Sequence, residues 1–222
     1  MAAGSGVVSV VDAGSLDPLG SSVRLGRAIR DIVIAPDGRV AIALLQDGTY
    51  GKVDLDERSG WTSEVWADAD HAAISPNDRL LALAGSNGQV GLLDYENGRW
   101  VTTPRTAHHA RGLRVSYAPD GSIFATSDTE GEVGLWDGRF GSLVALTRIG
   151  SFGSPSTVQF LDDSHTLVIA TAAGEVYHWD TRVEQWIDFA CQVAGRNLNP
   201  EEWALAFGSD TYEPTCPEQP SP

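Results

Sequence analysis

The chain has 222 residues, 42 % of them hydrophobic, with 24 glycines, 11 prolines and a formal net charge of −15 at pH 7. It is turn-rich and long enough to bury about 70–75 % of its unfolded surface. One lysine, Lys52, and fourteen scattered arginines form no basic run, which argues against a nucleic-acid partner, and no eighteen-residue apolar stretch offers a membrane span.

The first twelve residues lack the basic region of a signal peptide, and their apolar stretch is short and broken. We therefore expect a cytoplasmic protein. Val7 to Val11 reads as a strand, and Ser22 to Leu25 as a second. One phrase then recurs: it ends in Asp12, Asp54, Asp94, Asp137 and Asp180, spaced 42, 40, 43 and 43 residues apart. Turn signals at Pro36-Asp37-Gly38, Pro76-Asn77-Asp78, Pro119-Asp120-Gly121 and Asp162-Asp163-Ser164 each begin 18 residues before an aspartate. From each aspartate to the next turn the chain runs 24, 22, 25 and 25 residues. The invariant half predicts tight hairpins, since loop length fixes register.

Each invariant half reads as three strands. An inner strand such as Ile32–Ile34 or Val115–Tyr117 precedes the turn. A near-continuous apolar strand follows at 40–45, 80–84, 123–126 and 167–171, a pattern suited to burial on both faces. After a second turn at Asp47-Gly48, Asn87-Gly88, Glu130-Gly131 or Ala173-Gly174 comes the third strand, which ends on the aspartate. A fourth strand is expected at 61–66, 99–103 and 143–148. A period near 40–45 residues with several strands per unit is the signature of a β-propeller.

Over about residues 5–181 these repeats resemble the WD-repeat family, with Trp136-Asp137 and Trp179-Asp180 as its signature pair. The resemblance implies an all-β propeller of four-stranded blades: a partial blade at 1–27 and repeats at about 28–66, 67–103, 104–148 and 149–181. It implies structural roles for Asp54, Asp94, Asp137 and Asp180. The family's His–Ser–Asp–Trp network is poorly matched, because Glu130 and Ala173 stand where its turn aspartate is expected. Stability should then rest more on apolar packing.

The partial repeat lacks its first two strands. Three explanations stand: the C-terminal portion of a longer propeller, association with another chain that completes the ring, or a four-bladed ring in which Ser22–Leu25 supplies the last blade's outer strand. Seven blades would need about 290 residues.

After Asp180 the period turns helical. Val183–Ala194 carries Trp186, Phe189, Ala190 and Val193 on one face, and Asn199-Pro200-Glu201-Glu202-Trp203 opens a second helix. Residues 182–222 are expected to pack on the last blade through Trp186 and Trp203. This tail resembles that of bacterial WD-repeat proteins, many of which carry a signalling or regulatory module ahead of the propeller. Cys191 and Cys216 form a bridge, a reactive pair or two buried thiols; a bridge would contribute about 3 kcal/mol.

No nucleophile elbow, phosphate loop, dinucleotide fingerprint or zinc-spaced cluster occurs, so no enzyme, metal or cofactor is expected, and Asp68, Asp70 and His71 read as a solvated acidic loop. One histidine of the pair His108-His109 is expected to approximate the family's structural histidine. The remaining reading is a scaffold or sensor that binds a protein or peptide on the face shared by loops 68–71, 108–114 and 151–156. Arg111, Arg114, His108 and His109 would form its basic sector, and Asp47, Asp68 and Asp70 its acidic one. The alternatives are a peptide or small-ligand sensor using the channel, and a truncated product without independent function.

Overall fold

Turns rich in Asp, Asn and Gly divide the chain into short antiparallel strands. The computed structural model describes residues 6–77, 79–150, 153–208, 211–216 and 218–219. Two brief strands come first, β1 (Val7–Val8) and β2 (Val23–Arg24), paired antiparallel with Val8 opposite Val23. Three four-stranded antiparallel sheets follow. The first holds β3 (Ile29–Ile34), β4 (Val40–Leu45), β5 (Thr49–Asp54) and β6 (Ser59–Glu64). The second holds β7 (Ala69–Ile74), β8 (Leu80–Gly85), β9 (Gln89–Asp94) and β10 (Arg99–Thr106). The third holds β11 (Gly112–Tyr117), β12 (Ile123–Asp128), β13 (Glu132–Asp137) and β14 (Leu143–Arg148). A fourth sheet has three strands, β15 (Ser156–Phe160), β16 (Thr166–Thr171) and β17 (Val176–Asp180).

Strand order follows chain order in every sheet, as hairpin connections require. The second strands are the most buried: residues 41–45, 81–85 and 124–128 are covered one after another. Apolar side chains therefore face packing partners on both sides of the sheet. Fourth-strand boundaries differ from the pattern reading. β6 starts two residues earlier and leaves Trp66 in the following loop, while β10 extends to Thr106 through two register shifts that absorb extra residues.

The recurrent aspartates close the third strands. Each turns one carboxylate oxygen onto the backbone beyond: Asp54 accepts from Asp56 and Glu57 N–H, Asp94 from Glu96 and Asn97, and Asp137 from Arg139 and Phe140, all at 2.7–3.1 Å. Asp12 does the same with Gly14 and Ser15. A short acceptor two or three residues ahead is what fixes such a turn. Asp163 plays this part in the last hairpin, and its hydrogen bonds from Thr166 hold its pKa down at about 2.

First strands lie beside first strands, β3 by β7, β7 by β11 and β11 by β15. Bonds between sheets repeat with the sequence period. Ala72 N–H donates to Asp31 (3.1 Å), Phe160 N–H to Ser116 Oγ (3.1 Å), and the Tyr50 hydroxyl to the Tyr95 carbonyl (2.8 Å). Burial pushes the Tyr50 pKa up to about 12. β2 pairs with β1, so residues 22–25 do not supply a fourth strand to the last sheet, and no closed ring forms among the described residues.

Residues 180–222 form a second compact unit. Helix α1 (Val183–Ala194) ends on Gly195 at φ 65°, and α2 (Pro200–Phe207) starts on a capping box between Asn199 and Glu202. Cys191 and Cys216 are disulfide-bonded with Cα atoms 5.5 Å apart, which replaces the alternative of two buried free thiols. Asn197 is buried and holds the bridged segment, donating to the Cys216 carbonyl (3.0 Å) and accepting from its N–H (2.7 Å). Trp203 meets Phe207 and Tyr212 edge-on or tilted. No helix of the described residues is long and apolar enough to cross a membrane.

Candidate functional site

The loops that precede the first strands are tied down twice. Each carbonyl there accepts an N–H from the turn of its own sheet: Gln46 to Ala28, Ser86 to Asp68, Thr129 to Arg111 and Ala172 to Pro155, at 2.8–3.0 Å. Each loop also reaches the preceding sheet, with Trp66 N–H on Gly48 O (3.2 Å), His108 N–H on Gly88 O (2.9 Å) and Ile149 N–H on Gly131 O (2.9 Å). Gly48 and Gly88 have φ of +83° and +75°, and a Cβ there would stand 2.6 Å from Ala67 Cα and 2.4 Å from His108 O. Only glycine satisfies both conditions. The loops and turns thus share one edge of successive sheets.

On that edge the charges interlock. Asp70, 3 % exposed, lies between Arg30 of the first sheet (Nη1–Oδ1 2.7 Å) and Arg111 ahead of the third (Nη2–Oδ2 2.8 Å). Arg30 also donates to the Ala69 carbonyl at 3.0 Å. This corrects two expectations. Asp70 is a buried ion-pair centre rather than part of a solvated loop, and the basic and acidic sectors are not separate. Asp68 is exposed and accepts from Asn87 (3.0 Å), while Asp47 pairs with Arg27 at 3.2 Å.

A second carboxylate organises the neighbouring positions. Glu132 binds the His109 ring (Nδ1–Oε1 2.9 Å), the His109 N–H (3.1 Å) and Arg148 Nη2 (3.1 Å). Burial alone would raise the Glu132 pKa, but these hydrogen bonds outweigh it and hold it below the ordinary value. Two side chains project from these anchors: His109 is 78 % exposed and Arg111 56 %. Arg114 stands apart. It is an exposed residue of β11 and lines a cavity of about 490 Å³ with Val33, Ile74, Tyr117 and Gln159, to which all four first strands contribute.

His108 is not a surface group. At 2 % exposed it turns inward, its Nε2 2.7 Å from Thr126 Oγ1, which also accepts from Trp136 Nε1 at 2.8 Å. Its Nδ1 faces Asp128 Oδ2 at 3.8 Å, and Asp128 Oδ1 accepts the N–H groups of Glu130 and Glu132 (2.9 and 2.8 Å). The expectation of a poorly matched His–Ser–Asp–Trp arrangement is refined for the third sheet, where His108, Thr126 and Trp136 are hydrogen-bonded in series and a carboxylate faces the histidine at 3.8 Å. Threonine fills the hydroxyl position, and the turn aspartate is Asp128, two residues ahead of Glu130. Burial lowers the His108 pKa, against the raising effect of Asp128 and Glu132. Ligand-capable atoms of His108, Asp128 and Glu132 lie within 4.8 Å of one another. Asp128 Oδ1 and the Glu132 carboxylate accept from backbone N–H groups, His109 and Arg148, while the facing atoms His108 Nδ1 and Asp128 Oδ2 have no hydrogen-bond partner among the described residues. Sequence reasoning missed Arg30, Thr126, Asp128 and Glu132; for Thr126 and Asp128 a polar residue inside an otherwise apolar second strand was the available signal. No protein-family model matches the chain, and no curated protein shows significant similarity to it.

Proposed function

We propose that the chain is a non-catalytic interaction module of β-propeller type, its sheets being WD-repeat blades and its loop-bearing edge the surface that takes a protein or peptide partner. The observation that carries this reading is the pair of exposed side chains, Arg111 and His109, each held by a buried carboxylate. A side chain fixed before binding loses less freedom when it binds, and arginine is enriched at the energetic centres of interfaces. The repeat pattern and the tail resemblance support a place within a larger bacterial signalling or regulatory assembly. A second reading, a peptide or small-ligand sensor, is favoured by the 490 Å³ cavity that Arg114 lines.

The test places a photo-crosslinking residue at the exposed Ser86 on the same edge and compares the proteins captured by this chain with those captured when Arg111→Glu/His109→Ala is added. A partner captured at this position and lost from the variant, at unchanged melting temperature, supports the loop edge. Identical capture sets would sink it. Loss of a partner on Arg114→Ala alone would favour the cavity.

A further inference from the structure

The first sheet has two faces, and they are covered differently. Towards the second sheet, β3 meets β7 strand on strand. On the opposite face Val8, Val23 and Leu25 pack with Ala41, Ala43, Leu45 and Val53. By phase, β1 and β2 correspond to the third and fourth strands of a repeat, because β1 leads to Asp12 as β5 leads to Asp54. They cover the outer half of this face. The inner half is an open, mainly apolar cavity of about 420 Å³, bounded by residues 7–11 on one side and on the other by Ile29, Ile32, Ile34 and Ala41, with Arg30 and Asp31 among them. Ile32 and Ile34 are 39 % and 60 % exposed there.

The backbone beside this cavity is unpaired in a regular way. Gly6 O accepts from Leu25 N–H (2.7 Å), Val10 O from Leu19 N–H (2.9 Å), and Val8 pairs with Val23. In an antiparallel pair alternate residues point their peptide groups to opposite edges. The peptide groups of Val7, Ser9 and Val11 therefore face the cavity side, where no strand among the described residues pairs with β1. A free edge beside an apolar face is a template for an added strand.

We propose that this groove receives a β-hairpin of another polypeptide, whose second strand adds antiparallel to residues 7–11 while its first strand lies along β3. The chemistry of the guest follows from the other sheets. At the position that adjoins a third strand, the first and second sheets, the nearest in the chain, carry five or six small or branched apolar residues in succession, Val40–Leu45 and Leu80–Gly85. The guest strand is therefore short, uncharged and apolar on both faces, and a turn residue such as Asp-Gly or Asn-Gly follows it. The inference stands on the open edge and face and does not depend on the loop-edge reading above.

The probe is a synthetic peptide copying residues 28–46, the first and second strands of the first sheet with their turn, titrated into the full chain. Saturable binding is expected, with amide exchange at Val7, Ser9 and Val11 slowed by about tenfold or more. Ile34→Lys, at an exposed position, should abolish binding without lowering the melting temperature. A copy of the peptide with Ala41→Asp and Ala43→Asp should not bind. No binding, binding without protection of those three amides, or binding indifferent to Ile34→Lys overturns the proposal. Light scattering without peptide supplies the other arm: self-association abolished by Ile34→Lys would assign the groove to a second copy of the chain and overturn the donated hairpin.

Discussion

The second and third sheets share a backbone and solve its interior with opposite chemistry. In both, the loop before the first strand hangs on the preceding turn glycine, through Trp66 N–H on Gly48 and His108 N–H on Gly88. One period apart, Leu83 corresponds to Thr126, Gly85 to Asp128 and Leu93 to Trp136. The third sheet joins Trp136, Thr126 and His108 by hydrogen bonds and sets the Asp128 carboxylate 3.8 Å from the far side of the histidine ring. The second fills the same volume with Trp66, whose ring lies so close to Gly85 that a Cβ there would be 2.4 Å from it. An apolar filling needs shape alone. A buried polar one needs every member, because a partner left unmatched keeps its desolvation cost. The comparison teaches that the register, and not the polar chain, is what the repeat preserves.

The sharpest way to break that equivalence is to move a polar member into the apolar sheet. Gly85→Asp places a carboxylate against the Trp66 ring with no histidine opposite it. We expect a loss of about 4 kcal/mol or more, or no cooperative unfolding transition at all, in urea denaturation. A loss below about 1 kcal/mol would show that the second sheet accommodates the polar solution and that Trp66 is not what excludes it. The converse change, Asp128→Gly, strips the acceptor from the Glu130 and Glu132 N–H groups and removes the carboxylate that faces His108 at 3.8 Å. It is expected to cost about 2–4 kcal/mol.

The same contrast explains what could be read from the sequence. The period, the turn signals and the third-strand aspartates were legible because each depends on local chemistry, a short acceptor or a positive φ at a fixed place. Strands β4 and β8 were legible from unbroken apolar runs, and β12 from its shorter apolar start, Ile123–Ala125. The site was less so. Asp128 lies in the buried second strand and reaches forward to Glu132 N–H, so a search at the turn tip found only Glu130. Asp70 read as part of a solvated loop because its partners, Arg30 and Arg111, lie forty residues away on either side, in contacts that only packing creates. His108 and His109 are adjacent yet point to opposite environments, 2 % exposed for the first residue and 78 % for the second side chain.

A milder change separates shape from hydrogen bonding within the third sheet. Trp136→Phe keeps an aromatic ring against Phe124, which the tryptophan stacks at 5.9 Å between centroids, but removes the N–H that Thr126 accepts. The expected loss is about 1–2 kcal/mol. Leu93→Ile, a comparable reshaping at the matching position of the second sheet, should cost less than about 1.5 kcal/mol. Equal losses would mean that the polar chain behaves as packing and that the contrast between the sheets is only nominal.

The finest distinction is in pH dependence, since only the third sheet buries a histidine at this position. Burial lowers the His108 pKa below its ordinary 6.5 in the folded chain. Between the folded and unfolded values the unfolded state binds the extra proton, so stability falls as pH drops through that window. The contribution is fully present above 6.5 and is lost on acidification towards the folded pKa. Glu132 acts in a separate window. Its folded pKa is below 4.5, so its contribution is present above that value and disappears only in stronger acid. Unfolding free energies of the wild type and of His108→Gln, measured in urea from neutral pH down to about pH 5, should therefore converge. The variant costs most where His108 is neutral, and its deficit shrinks as the wild type loses the histidine's contribution. Because the Glu132 window lies lower, convergence above pH 5 reports His108 alone. Parallel curves across that range would mean that His108 titrates alike in both states, and that burial beside Asp128 leaves the third sheet no more pH-sensitive here than the second.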